Sequence, residues 1–226
     1  MTLHIGLLLF PEVQQLDLTG PYDLFAALPD VQVHLIWKDC TAVRSSTGLV
    51  LLADTRFADC PPLDVLCVPG GAGVEALMED AQVLDFLRLQ AASVRYLTSV
   101  CTGALVLGAA GLLRGRRATT HWAYHDLLAP LGAEPVAERV VRDGNLITGG
   151  GVTAGIDFAL TLVAELFDEQ TAQVLQLQIE YAPAPPFDAG SPATAPAAVL
   201  AQGWDNTAAS RARRAEVVAR AAARLG

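Results

Sequence analysis

One cysteine lies between the two segments of the chain that most clearly predict regular structure. Residues 96–100 form a β-branched run typical of a buried strand, and residues 104–110 follow with a small, apolar pattern typical of a packed helix. A strand that turns directly into a helix needs small residues two positions before and two positions after the turn, and Ser99 and Gly103 stand there. The spacing therefore predicts a nucleophile elbow with Cys101 at its tip.

A cysteine in this position can act as a nucleophile. The partial positive charge at a helix N-terminus favours the thiolate over the thiol, so we expect Cys101 to be reactive. The alternative is a buried cysteine that serves only as a small apolar residue, which is the usual fate of a free thiol. Residue type alone favours that alternative, and the elbow context reverses the preference. Cys101 is therefore the leading catalytic candidate.

Two further loops carry residues that could act together with the cysteine. Asp17 follows the first predicted strand, and a glycine turn that includes Gly71 follows an apolar strand at residues 63–68. Because the carboxyl ends of parallel strands meet at one edge of a sheet, these loops can converge on Cys101. The N–H groups of the glycine turn and of Thr102 could then stabilise a developing anion. An ordinary strand-to-helix turn explains the glycines equally well.

Asp17 is the candidate proton carrier. Burial and a neighbouring thiolate would raise the pKa of its carboxyl group, so that it could hold a proton near neutrality and transfer it. Glu12 is a weaker candidate for the same role. A helix cap or a solvated loop residue remains the alternative for Asp17. The Thr102 hydroxyl could donate to an intermediate or position water, or it could simply be a small residue that tolerates the turn.

His121 is the histidine best placed for a cysteine–histidine pair. It follows a predicted strand at residues 117–120, which we expect to lie in the sheet beside the elbow strand. The favoured alternative is a structural imidazole that packs beside Trp122. Asp126 or Glu138 could orient the ring if it acts as a base.

The alternation of strands and helices predicts an α/β fold with a mostly parallel sheet covered by helices on both faces. The length of 226 residues and the hydrophobic fraction of 52% suit one domain, which we expect to span residues 1–226. The proline-rich residues 182–203 predict an extended strap across the surface. Residues 207–225, rich in alanine and arginine, predict an extra amphipathic C-terminal helix.

Composition argues against several partners. The net charge of −9 disfavours nucleic acid, because phosphate binding needs clustered lysine and arginine. No apolar run is long enough to predict a membrane span, and the apolar first ten residues lack the basic start of a signal peptide. Four cysteines and four histidines show no metal-ligand spacing, so we expect free thiols, no structural metal and a cytoplasmic location.

Five segments together resemble the PfpI/ThiJ superfamily, whose fold is like that of class I glutamine amidotransferases; they are residues 10–21, 68–71, 99–103, 118–122 and 140–157. Within it, the chain is most similar to the bacterial isonitrile (isocyanide) hydratases. The resemblance implies a flavodoxin-like, doubly wound sandwich that forms a homodimer. It also implies that Asp17 is the acid beside Cys101, and that Gly71 and Thr102 supply the amides that stabilise an anion.

The resemblance further implies hydration of isonitriles, R–N≡C, to N-substituted formamides, with no metal or organic cofactor and with water as the second reactant. We expect a covalent Cys101 thioimidate with Asp17 as proton carrier. The candidates for a substrate pocket are His121, Trp122, Gly150 and Val152. One alternative is a cysteine-dependent glyoxalase-like or hydrolase-like enzyme. The other is a non-catalytic sensor domain related to AraC-type regulators.

Overall fold

The computed structural model describes residues 2–226. Its strands are β1 (Leu3–Leu8), β2 (Val31–Trp37), β3 (Ala42–Arg44), β4 (Val50–Leu52), β5 (Thr55–Arg56), β6 (Val65–Val68), β7 (Tyr96–Val100), β8 (Arg117–Ala118), β9 (Glu134–Pro135), β10 (Val140–Asp143) and β11 (Leu146–Gly149). Its α-helices are α1 (Gln15–Ala26), α2 (Val74–Leu77), α3 (Ala81–Ala91), α4 (Gly103–Ala109), α5 (Ala154–Leu166), α6 (Glu169–Gln178) and α7 (Ala197–Leu225).

Seven strands form one sheet in the order β10-β11-β7-β6-β1-β2-β5. All neighbours in it run parallel except β10, which pairs antiparallel with β11 at one edge. The central strand β6 is buried along its whole length, as expected for a parallel sheet that is covered on both faces. The carboxyl ends of β1, β6, β7 and β11 therefore lie side by side, which is where a doubly wound sheet binds its ligands.

Helices cover the sheet in two layers. In one layer α1 packs against α5, and α5 packs against α6. In the other layer α4 packs against α2, α3 and α7 and contacts β6 and β7. The structure confirms the predicted α/β fold class, with a mostly parallel sheet, helices and an additional C-terminal helix.

Two local predictions near the site were wrong. Helix α1 begins at Gln15, so Asp17 lies in its first turn and is neither a helix cap nor a solvated loop residue. Strand β8 pairs only with β9 in a separate two-stranded sheet, and the other parallel neighbour of β7 besides β6 is β11. His121 therefore does not follow a strand of the main sheet. The strand predicted at residues 117–120 was too short for the sequence to show whether it pairs with β7.

The C-terminal helix begins at Ala197, ten residues before the predicted start, so the extended segment is shorter than the predicted 182–203. Pro196 ends that segment, and the alanine-rich residues after it favour helix. Gly203 lies inside the helix, where a Cβ would be 3.5 Å from the ring of Trp122. No helix within residues 2–226 combines the length and apolarity needed to cross a membrane.

Candidate active site

Cys101 occupies the tip of the turn between β7 and α4 in a strained backbone conformation, with φ at +55°. Its N–H lies 3.0 Å from the carbonyl oxygen of Gly149 and 2.8 Å from that of Gly150. Its own carbonyl oxygen accepts a hydrogen bond of 2.7 Å from the hydroxyl of Thr120. A Cβ on Gly103 would lie 1.9 Å from the carbonyl oxygen of Val68, so the sharp turn requires glycine there. The nucleophile-elbow geometry follows from these contacts.

Asp17 is fully buried beside Cys101. Its Oδ2 accepts a 2.9 Å hydrogen bond from the N–H of Gly70, whereas Oδ1 has no well-aligned partner within residues 2–226. Burial raises the pKa of the carboxyl group to about 7, against the smaller lowering effects of the Gly70 N–H and the Cys101 thiol. Glu12, the weaker candidate, is exposed to solvent. Asp17 can therefore take up or release a proton near neutral pH.

The expected stabilisation of the Cys101 thiolate by the helix N-terminus is outweighed in the resting structure. Burial raises the pKa of the thiol, and the charge of Asp17 raises it further. The N–H groups of Thr102 and Val152, which donate to the sulfur, lower this pKa by less. The thiol and the carboxyl group are thus a coupled pair that holds one proton just above neutral pH and gains a second one below it.

Thr102 and the glycine turn lie beside the pair. Thr102 is buried, and its Oγ1 accepts a 3.2 Å hydrogen bond from the N–H of Gly71. Gly71 has φ at +141°, and a Cβ there would lie 2.3 Å from the carbonyl oxygen of Glu12. Since the Gly71 N–H already has a partner, an anion at this turn would have to displace the Thr102 hydroxyl. The anion site at Gly71 and Thr102 stays a prediction.

Gly70 provides the first test of this arrangement. A Cβ at this position would lie 2.6 Å from the N of Thr102 and 2.9 Å from Asp17 Oδ2. We expect Gly70→Ala to displace both groups and to lower kcat/KM on the order of 100-fold, because small misplacements of reacting groups have effects of that size. Steady-state kinetics measures it. Gly20→Ala, on the same helix as Asp17 and with only ordinary contacts, should keep its activity.

Arg214 is a buried residue of α7 that sequence reasoning did not identify. Its Nη2 donates a 2.9 Å hydrogen bond to the carbonyl oxygen of Gly71, and its guanidinium carbon lies 4.2 Å from the ring centroid of Tyr124. Its Nε lies 3.4 Å from Glu75 Oε1. The C-terminal helix thereby holds the glycine turn from behind. The sequence did contain a signal for its burial. Arg214 lies three positions before the buried Val217 and seven before the buried Ala221, which places it on the apolar face of the helix.

We expect Arg214→Met to loosen the glycine turn and lower kcat by about tenfold, since positioning alone carries effects of that order. The charge of Arg214 also lowers the pKa of His121, so the substitution should raise that pKa. NMR titration of His121 measures this second effect, which a general loss of stability would not produce. Arg213→Met is the matched control, because Arg213 is exposed and also contacts Glu75. Unchanged kcat and an unchanged His121 titration would contradict the role.

His121 does not form a recognisable catalytic pair. Its Nδ1 lies 3.3 Å from the N–H of Ala123 and caps the short helix that follows. Burial lowers the pKa of the ring to about 4, so the imidazole is neutral at physiological pH. These contacts support the structural interpretation of His121.

One cavity of about 750 Å³ adjoins the elbow. The structure places all four candidates for a substrate pocket in its wall; they are His121, Trp122, Gly150 and Val152. Thr120, whose hydroxyl binds the carbonyl of Cys101, also lines it. The cavity is therefore separated from Cys101 in space by a single layer of residues.

The chain combines a doubly wound sheet with a strained, buried cysteine that lies beside an acid. Comparison with known protein families shows the class to which this combination belongs. Residues 4–165 match the sequence model of the DJ-1/PfpI family, and the chain belongs to that family. It is 70% identical over 225 residues to the isonitrile hydratase of Pseudomonas putida, a match that covers 100% of this chain and 99% of that protein.

Two further similarities concern the fold and the alternative of a sensor domain related to transcriptional regulators. The crystal structure of a ThiJ/PfpI family protein from Pseudomonas syringae superposes with a TM-score of 0.93 at 43% identity, covering 98% of this chain and 91% of that one. The transcriptional regulator GbdR of Pseudomonas aeruginosa is 34% identical over 134 residues, which cover 58% of this chain but 36% of the regulator. The similarity to the regulator is thus confined to one part of that protein.

Proposed function

We propose that this protein hydrates isonitriles to N-substituted formamides, with Cys101 as nucleophile and Asp17 as proton carrier. The full-length similarity to the Pseudomonas putida isonitrile hydratase supports the choice of substrate. The observation that carries the chemistry is the buried carboxyl group of Asp17. It lies beside the thiol of Cys101, and its pKa is about 7. An acid and base in one group, held next to a nucleophile, is what addition and hydrolysis at a single carbon require.

The first half of the reaction adds the S–H of Cys101 across the terminal carbon of the isonitrile. Asp17 accepts the thiol proton while the sulfur attacks that carbon, and it then delivers the proton to the same carbon. The product is a thioimidate, R–N=CH–S–Cys101, in which every atom of the substrate is retained. The N–H groups of Thr102 and Val152, which donate to the sulfur, stabilise the negative charge that develops on it as its proton leaves.

The second half adds water and releases the product. Asp17, again a carboxylate, accepts a proton from water as the oxygen attacks the thioimidate carbon, and it passes this proton to the nitrogen. The tetrahedral intermediate, R–NH–CH(OH)–S–Cys101, then expels the sulfur, which recovers its proton, and R–NH–CHO leaves. Two covalent steps replace one direct attack of water on the isonitrile.

An assay with a simple alkyl and a simple aryl isonitrile tests the proposal by following formation of the formamide. We expect turnover with an isonitrile and none with methylglyoxal. Turnover of methylglyoxal alone would favour the glyoxalase-like alternative, and no turnover of either compound would favour the sensor alternative. Either result would overturn the proposed function.

We also propose that the protein acts as a homodimer, as its resemblance to the family implies. The β3–β4 hairpin supports an apolar contact surface, since Leu49, Val50 and Leu52 are each at least half exposed there. Sedimentation equilibrium of the purified protein measures the assembly mass. A mass of one chain at micromolar concentration would contradict the dimer.

A further inference from the structure

The cavity beside Cys101 has an aromatic wall that includes a residue of the C-terminal helix. Trp122 and Trp204 pack edge to face with their ring centroids 4.7 Å apart, and both line the cavity. The ring of His121 lies 5.6 Å from that of Trp122 and extends the wall toward the elbow. Trp204 belongs to α7 and is 40% exposed. The guanidinium carbon of Arg211, whose charge is paired with Asp126, lies 5.5 Å from the centroid of this ring, so only part of the ring is open to a ligand.

Access to the sulfur from this cavity is narrow. Cys101 is only 6% exposed, and three residues that contact it also line the cavity: Thr120, Gly150 and Val152. The sulfur is thus set back from the cavity behind these residues, which favours the approach of a slender group over that of a broad one. The isonitrile group is linear and two atoms long, and its terminal carbon is the atom that must reach the sulfur. The shape of the site therefore separates the reacting group from its substituent.

The cavity wall offers little charge to a substituent. His121 is neutral at physiological pH. Arg139 is already bound to Asp157 and Tyr181, and its neighbour Glu138 is exposed to solvent at the rim. A volume of about 750 Å³ is far larger than a methyl group needs. Aromatic rings recognise broad apolar groups and prefer edge-to-face or offset stacking with other rings.

We infer that the preferred substrates are isonitriles with an aryl or comparably broad apolar substituent, which lies against Trp122 and Trp204 while the isonitrile carbon reaches Cys101. The inference rests on the proposed function, and it makes Trp204 a specificity-determining residue outside the catalytic pair. Because Trp204 lines the cavity and is not among the residues next to the sulfur or Asp17, it affects binding of the substituent and not the chemical steps.

The test compares kcat/KM for phenyl isonitrile and methyl isonitrile in the native protein, in Trp204→Ala and in Trp204→Phe. We expect the native protein to prefer phenyl isonitrile, and Trp204→Ala to lose about tenfold of that preference, which is the order of one aromatic contact. The loss should appear in KM for the phenyl compound, and Trp204→Phe should restore most of it. Asp205→Ala, an exposed position on the same helix that does not line this cavity, is the control.

The outcomes separate this inference from the function on which it rests. If the native protein hydrates neither compound, the proposed function fails. If it hydrates both without preference, or if Trp204→Ala slows both equally, the function stands and the inference is overturned. A circular dichroism spectrum identical to that of the native protein shows that Trp204→Ala has folded.

Discussion

Replacing Cys101 with serine is expected to lower kcat for isonitrile hydration by about four orders of magnitude or more, as is usual when a covalent nucleophile is removed. A hydroxyl proton is far harder to remove than a thiol proton, and the Asp17 carboxylate, whose conjugate acid has a pKa of about 7, is too weak a base to do so. The backbone bonds that hold the elbow involve the N–H and C=O of Cys101, so serine keeps them. The variant should therefore fold and bind substrate without turning it over.

The measurement is formamide production under saturating isonitrile, followed long enough to detect one turnover in a day. Cys40→Ser is the matched control, because Cys40 is an exposed free thiol far along the chain from the elbow. Full activity in that control excludes a general effect of thiol removal. Substantial hydratase activity in Cys101→Ser would falsify the covalent mechanism.

Replacing Asp17 with asparagine is expected to slow formation of the thioimidate by 10²- to 10⁴-fold, the usual range for loss of a general acid–base. The amide can still accept the hydrogen bond from Gly70 N–H, so the geometry of the turn is preserved. It cannot take a proton from the thiol, whose raised pKa makes spontaneous ionisation unfavourable. A single-turnover experiment measures this step directly, and equal rates in the two proteins would remove Asp17 from the mechanism.

The pH dependence of kcat/KM should reveal the same carboxyl group. Asp17 has a pKa of about 7, and the active form of the pair holds one proton. Below pH 7 the pair gains a second proton, so kcat/KM should fall about tenfold for each pH unit. In Asp17→Asn this acidic limb should disappear from the residual activity. An unchanged limb in the variant would assign it to another group.

The same substitution should stabilise the fold at alkaline pH. Burial raises the pKa of Asp17 from 3.8 to about 7, so between these values the folded state binds more protons than the unfolded state. The stability of the native protein therefore falls as pH rises through this window. Asparagine carries no charge, so we expect a gain in the free energy of unfolding of at least about 1 kcal/mol at pH 8, and little gain near pH 4. Urea denaturation at both pH values measures it.

The elbow and the sheet could be predicted because their signals are local. The β-branched run before Cys101, the small residues Ser99 and Gly103 and the alternation of strands with helices each reflect constraints within a few residues. The shared edge of the parallel strands predicted that the Asp17 loop could reach the thiol, and the resemblance singled out Asp17 as the acid there. Its burial could not be predicted locally, since it depends on contacts across more than fifty positions, such as the bond from Gly70.

The protonation state of Cys101 and the role of Arg214 could not be predicted in this way. The helix N-terminus is visible in the sequence, but the burial that outweighs it is created by packing of the whole α/β core. Arg214 reaches Gly71 across 143 positions, and the sequence shows only an arginine on the apolar face of a helix. Short strands such as β8 are ambiguous for the related reason that their pairing partner is set by tertiary structure.

The most direct test of the covalent mechanism is the intact mass of the protein after rapid acid quenching during turnover of saturating isonitrile. Addition of the thiol retains every substrate atom, so the covalent mechanism predicts a species heavier by the mass of one isonitrile molecule, located by digestion on the peptide that contains Cys101. This species should disappear in Cys101→Ser. Formamide release in a burst with no such adduct at any quench time, or an adduct on another residue, would contradict covalent catalysis by Cys101.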